Sequence, residues 1–278
     1  MQKQTFQGSG LGLRRGFMEE LSTKSFKKTI DFFEIAPENW IDIGGSLAIL
    51  FHEYTEKYPF IAHGLSLSIG SPAPLNIALV KEIKTFLSDY KIKLYSEHLS
   101  WCADESQLFD LLPIPFTIEA AKHTAKRIAQ VQDILGKQIA IENSSYYLAP
   151  GQHLKEIEFL KEVLEQSDCL LLLDINNIYV NSVNHGYDAK AFIDAIPTER
   201  IAYAHIAGHW KKKKNLIIDT HGSAVIEPVW DLLAYAYNIH GLFPTLLERD
   251  FDFPPLQELL TEVSKIKNLQ HTHAYANT

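Results

Sequence analysis

Eight short apolar runs recur along this chain, separated by longer amphipathic stretches, and the last six carry a histidine or an acid at or near their C-terminal ends. The runs are Ser9–Arg14, Phe32–Ala36, Phe60–Leu67, Leu94–Leu99, Gln138–Asn143, Cys169–Asp174, Ile201–Ile206 and Pro244–Arg249. Their length and β-branched or aromatic content read as strands. The stretches between them carry helical spacing, including Pro74–Tyr90, Thr117–Leu135, His153–Glu165 and Val229–Tyr237, with Leu256–Ile266 as a closing helix. Repeated strand–helix units predict an α/β chain. Eight of them fit a closed (β/α)8 barrel better than the alternative, an open doubly wound sheet. No Gly/Ser linker or low-complexity run interrupts the pattern, so residues 1–278 are expected to form a single domain.

The polar residues fall at equivalent places. His63 lies in the third run, Glu97 and His98 in the fourth, Glu142 in the fifth, Asp174 in the sixth, His205 in the seventh and Glu248 in the eighth. In a barrel these positions surround one mouth. Ionisable groups there are costly to bury unless they are paired or bound to a metal. A lone histidine after a strand is ordinarily a satisfied structural residue, but six in succession point to a shared metal site. Asp219 and His221 follow the seventh strand. On an extended loop, residues two apart point the same way, so both could bind one ion; an Asx-turn closed by Gly222 is the alternative.

The donor set contains nitrogen and oxygen but no thiolate, which suits iron, manganese or zinc. Four carboxylates, Glu142, Asp174, Asp219 and Glu248, balance two or three divalent ions. Glu142 falls between the two histidine groups in barrel order and is the candidate bridge, since ions sharing a carboxylate stand about 3.5–4 Å apart. Composition narrows the setting. The only cysteines, Cys102 and Cys169, provide neither a disulfide framework nor a thiolate zinc site. The formal charge of −8 argues against a general nucleic-acid or anionic-membrane binder. Met1–Arg15 has no apolar core of signal-peptide length and no run is long enough to span a membrane, so a cytoplasmic protein is expected.

The ligand order resembles that of the xylose-isomerase-like TIM barrels, including the endonuclease IV type. A closer resemblance is carried by residues 63–70 (HGLSLSIG), 96–101 (SEHLSW), 141–143 (IEN), 174–181 (DINNIYVN), 184–186 (NHG), 205–209 (HIAGH), 219–222 (DTHG) and 247–250 (LERD). Together they are similar to the multinuclear non-heme iron-dependent oxidative enzymes, over about residues 8–255. That resemblance implies two or three iron ions, with zinc or manganese as possible substitutes, and dioxygen-dependent modification of cysteines in a ribosomally made precursor peptide. It also implies a separate partner protein that recruits the peptide. By the same resemblance, His63 and His98 hold one iron with Glu142 as bridge, and Asp174, His205 and Glu248 hold a second. Asn177, Asp219 and His221 hold a third, more labile ion, because the endonuclease-type pattern has a histidine where this chain offers Asn176 and Asn177.

Three further residues are candidates for a catalytic role. His185 and His209 lie on expected loops over the mouth, where each could contact substrate or move a proton, and Asn143 could orient a ligand. Lys211–Lys214 reads as a solvated loop, with docking of an acidic peptide as the alternative. Rival functions are a metal-dependent phosphodiesterase or endonuclease, which the acidic balance disfavours, and a sugar isomerase. The isomerase reading is weakened because Ser144 stands where those enzymes carry a lysine.

Overall fold

The computed structural model describes residues 7–23, 29–103, 107–213 and 215–276. Among the described residues there are twelve strands: β1 (Ser9–Gly12), β2 (Phe32–Ile35), β3 (Phe60–Gly64), β4 (Leu94–His98), β5 (Trp101–Ala103), β6 (Gln107–Leu112), β7 (Ala140–Glu142), β8 (Leu170–Asp174), β9 (Ile201–Ile206), β10 (His209–Lys213), β11 (Leu216–Asp219) and β12 (Thr245–Leu247). Eight of them close into a barrel in the order β1-β2-β3-β4-β7-β8-β9-β12, which rules out the open sheet. The four extra strands form two hairpins, β5–β6 and β10–β11, each inserted where a barrel strand ends.

Contacts gather into two compact units, one of residues 36–172 and one of residues 1–35 with 173–278. In the first, β3 pairs with β4, β4 with β7 and β7 with β8, all parallel. His98 stands opposite Glu142, and Ser96 opposite His63. Helix Ile77–Asp89 starts later than its apolar spacing suggests, because the Asn76 side chain accepts from the Leu79 N–H and fixes the first turn. Helix Ile118–Leu135 is capped in the same way by Thr117 and ends at Gly136 in the left-handed region. Helix Glu156–Ser167 follows.

In the second unit, β1 pairs with β2 and β12, and β12 with β9, again all parallel. These strands are buried on both faces, and Leu11, Phe32, Phe33, Tyr203 and Leu246 are wholly inside. Helix Ile175–His185 begins directly at the end of β8. Asp174 caps it, its Oδ1 accepting from the Asn177 N–H at 2.6 Å. Helices Glu227–His240 and Leu256–Ala276 extend beyond their sequence-derived limits. Among the described residues no helix is long and apolar enough to cross a membrane.

Candidate metal centre

In the unit of residues 36–172, three ligand-type atoms meet at the strand ends. His63 Nε2 lies 3.0 Å and His98 Nε2 3.3 Å from Glu142 Oε2, and the two Nε2 atoms are 3.2 Å apart. Ligands about 2.1 Å from a metal stand roughly 3.0 Å apart along an octahedral edge and about 3.4 Å along a tetrahedral one, so this triangle has the size of a coordination face. The rings are aimed by their other nitrogens. His98 Nδ1 donates to the Gly64 carbonyl at 3.0 Å, which leaves the Nε2 lone pair pointing inward. His63 Nδ1 meets Ser96 Oγ at 2.8 Å.

Glu97 plays a structural part. Its carboxylate accepts from the His98 N–H, the Leu67 N–H and the Tyr95 hydroxyl. Glu38 accepts from the Leu65 and Ser66 N–H groups, and burial together with nearby Glu97 raises its carboxyl to about 7. Asn143 is buried and lines an apolar pocket with Leu99, Phe116, Tyr146 and Phe159.

The second unit holds a larger group. His205 is fully buried, with Nδ1 2.8 Å from Glu248 Oε2 and 3.9 Å from Asp174 Oδ2. Its Nε2 lies 3.0 Å from Glu34 Oε2, which also accepts from the Tyr203 hydroxyl at 2.7 Å. Glu34 was not among the sequence-derived candidates. Its signal was present, since Phe-Phe-Glu-Ile-Ala places an acid inside the second apolar run.

His221 Nδ1 is 3.1 Å from Glu248 Oε2, and its Nε2 is 2.8 Å from Asp219 Oδ1. It therefore shares Glu248 with His205 as well as contacting Asp219. Asp219 and His221 do not share an extended segment as expected, because His221 has φ +48°; a left-handed turn brings its ring back onto Asp219. The amide that meets Asp219 is Asn176, through Nδ2 at 2.9 Å, whereas Asn177 is buried beside it and gives its backbone N–H to Asp174.

His209 is the first residue of β10, not a loop residue. It is buried, contacts Asn176 Oδ1 through Nδ1 at 2.7 Å and stacks on Tyr179. His185 is exposed at the far end of the helix that Asp174 caps. Eleven residues at about 1.5 Å each set it roughly 16 Å from that cap, so it does not overhang the acids as a mouth loop would.

Neighbouring carboxylates dominate the electrostatics of this second group. Burial opposes charge on His205, yet Glu34 and Glu248 outweigh it and hold the imidazole protonated well above its ordinary range. His221 behaves alike, with Asp219 and Glu248 overcoming its burial. Burial would raise the Glu248 carboxyl, but His205 and His221 hold it well below the usual carboxylate range. The His63–His98–Glu142 and Asp174–His221–Glu248 groups each gather ligand atoms within 4.8 Å of one another. Buried hard-oxygen and imidazole donors without thiolate suit a divalent transition metal.

The model of the RiPP precursor modification enzymes MbnB/TglH/ChrH matches residues 8–271. The chain belongs to that family. Its family is thus one of enzymes that modify precursor peptides, which implies a precursor peptide as substrate. Similar proteins include a UPF0276 protein of Shewanella loihica, 56% identical over 96% of this chain and 98% of its own. Another, from Pseudomonas aeruginosa, is 52% identical over 97% of this chain and 95% of its own. Among solved structures, a xylose isomerase domain protein from Planctomyces limnophilus aligns with TM-score 0.63 at 12% identity, over 97% of this chain and 99% of its own. Endonuclease IV from Thermus thermophilus aligns with TM-score 0.58 at 14% identity, over 97% and 99%. These two likenesses show the shared xylose-isomerase-like barrel and nothing of activity.

Proposed function

We propose that this MbnB/TglH/ChrH member is a multinuclear iron-dependent oxidative enzyme that uses dioxygen to modify cysteine residues of a ribosomally synthesised peptide, with a separate protein helping to recruit that peptide. The observation that carries the reading is the convergence of buried imidazoles and carboxylates at strand ends in a peptide-modifying family. His63, His98 and Glu142 would hold one iron. Asp174, His205 and Glu248 would hold another, with His221 turned toward the same Glu248 carboxylate. Asp219, Asn177 and the second nitrogen of His221 would supply a third, weaker position. When bound, the iron would supply redox chemistry and an open position for a substrate thiolate, whose proton is more easily lost there.

The chain's own residues do the rest. Glu34 and the Gly64 carbonyl hold His205 and His98 in fixed orientation through the ring nitrogens that face away from the ligand groups. Asn176 couples His209 to Asp219, so the His209 ring is held beside the third position. Its Nδ1–H points at the amide oxygen, which leaves Nε2 as the ring's acceptor for a substrate proton.

Metal analysis after anaerobic purification, followed by mixing with a cysteine-bearing peptide encoded beside the gene, tests the proposal. Bound iron whose spectrum changes with the peptide, and peptide-dependent oxygen uptake, are expected. Stoichiometric zinc with activity on abasic DNA would overturn it.

A further inference from the structure

The hairpin β10–β11 is rooted in the site and carries charge that runs against the rest of the molecule. Its first residue, His209, is buried in the Asn176–Asp219 group, while Trp210, Lys211, Lys212 and Lys213 are exposed. Lys214 continues the run but lies outside the described residues. The Lys212 ammonium sits 5.7 Å from the centre of the Trp210 ring, whose exposure is 53%. On the facing strand, Ile217 stands opposite Lys211 and Leu216 opposite Lys213; the strand's one acid, Asp219, pairs with His209. None of the three described lysines forms an ion pair among the described residues. In a chain of net charge −8, neighbouring cations left without acids, beside an exposed indole, form a surface suited to an anionic partner.

We infer that this hairpin docks an acidic stretch of the peptide substrate, with Lys211–Lys213 pairing with its Asp and Glu side chains and Trp210 packing against its chain. The inference rests on the peptide-modifying reading of the site. Peptide fits better than nucleic acid, because a chain of net charge −8 with one short basic hairpin is poorly suited to grip a continuous phosphate backbone. A peptide can place acids on the hairpin and neutral residues at its base. Strand rise of about 3.3 Å per residue sets Lys211 and Lys213 roughly 7 and 13 Å from His209. A peptide lying along β10 would therefore carry its acids two to four residues from the residue that enters the site.

Lysines on an exposed strand also discourage unwanted strand pairing. Glutamates do so too, so charge reversal separates the two roles. The probe is a fluorescein-labelled Gly/Ser decapeptide with a central serine and four acids placed two to four residues from it. A lysine version and a single-stranded oligonucleotide of the same charge as the acidic probe are the comparisons. With the metal-loaded protein, the acidic peptide is expected to bind roughly tenfold more tightly than the lysine version, weakening as salt rises. In K211E/K212E/K213E the preference should reverse, and in K211Q/K213Q it should shrink toward none. Unchanged affinity in both variants, or tighter binding of the oligonucleotide, would overturn the inference. If the triple variant fails to fold, the glutamine pair alone decides. Because the serine probe needs neither iron nor oxygen, this binding can fail while the iron response to a cysteine peptide succeeds, and the reverse.

Discussion

Glu34, which forms a buried ligand-type group with His205 and Glu248, illustrates how much one side chain can control. Its Oε2 takes both the Tyr203 hydroxyl and His205 Nε2, so it fixes the ring whose other nitrogen faces Glu248 and Asp174. Glu34→Gln keeps an acceptor but removes the charge. Metal affinity at that position should fall about 10–100-fold, the usual effect of losing such an orienting partner. Competition with a chromophoric chelator measures this, and equal metal retention in both proteins would contradict it. Glu38 offers a separate test. Its carboxyl titrates near 7 in the fold against about 4.5 ordinarily, so the folded state prefers it protonated. Stability should decline as pH rises from about 4.5 to 7, by up to roughly 3 kcal/mol, and stay lower above that. Thermal melts of Glu38→Gln should lack this decline; parallel curves for the two proteins would dismiss the claim.

At the level of elements, β3 is held close to its neighbour by the absence of a side chain at Gly64. A Cβ there would collide with the Tyr95 hydroxyl and crowd Glu97 Oε2 at 2.5 Å, the group that also fixes the Leu67 N–H. Gly64→Ala should cost about 1–3 kcal/mol and displace the carbonyl that orients His98. A melting temperature within a degree of the parent would refute it. The barrel strands were legible because buried strands between amphipathic helices leave a strong apolar rhythm. The hairpins were not. Trp-Cys-Ala is only three residues long and His-Trp-Lys-Lys-Lys is mostly exposed, so neither carries such a rhythm. His221 was placed correctly beside Asp219 for a wrong reason, since a left-handed residue cannot be read from an extended-strand argument. His185 looked like a mouth residue because Asn-His-Gly reads as a loop, whereas Gly186 terminates an eleven-residue helix that Asp174 caps.

For the molecule as a whole, metal loading and protonation compete. Without metal, His205 and His221 carry protons at neutral pH because Glu34, Asp219 and Glu248 outweigh burial. Those imidazolium pairs stabilise the fold fully below about pH 6.5 and fade as pH climbs through the raised values; the Glu248 contribution persists above about 4.5 and fades only in acid, as pH falls through its depressed value. Metal entry must expel the ring protons that face Glu248. Titration calorimetry near pH 7 in buffers of different ionisation enthalpy should therefore register proton release; identical heats in all buffers would exclude it. The Asp174 carboxylate extends this linkage into the backbone. One of its oxygens closes the first turn of helix Ile175–His185, and the other faces His205. Amide exchange at Asn177 consequently becomes a local clock for the site. A cation drawn to Asp174 would steady the cap and slow that proton's exchange with deuterium, while the distal turn near His185 keeps its own rate.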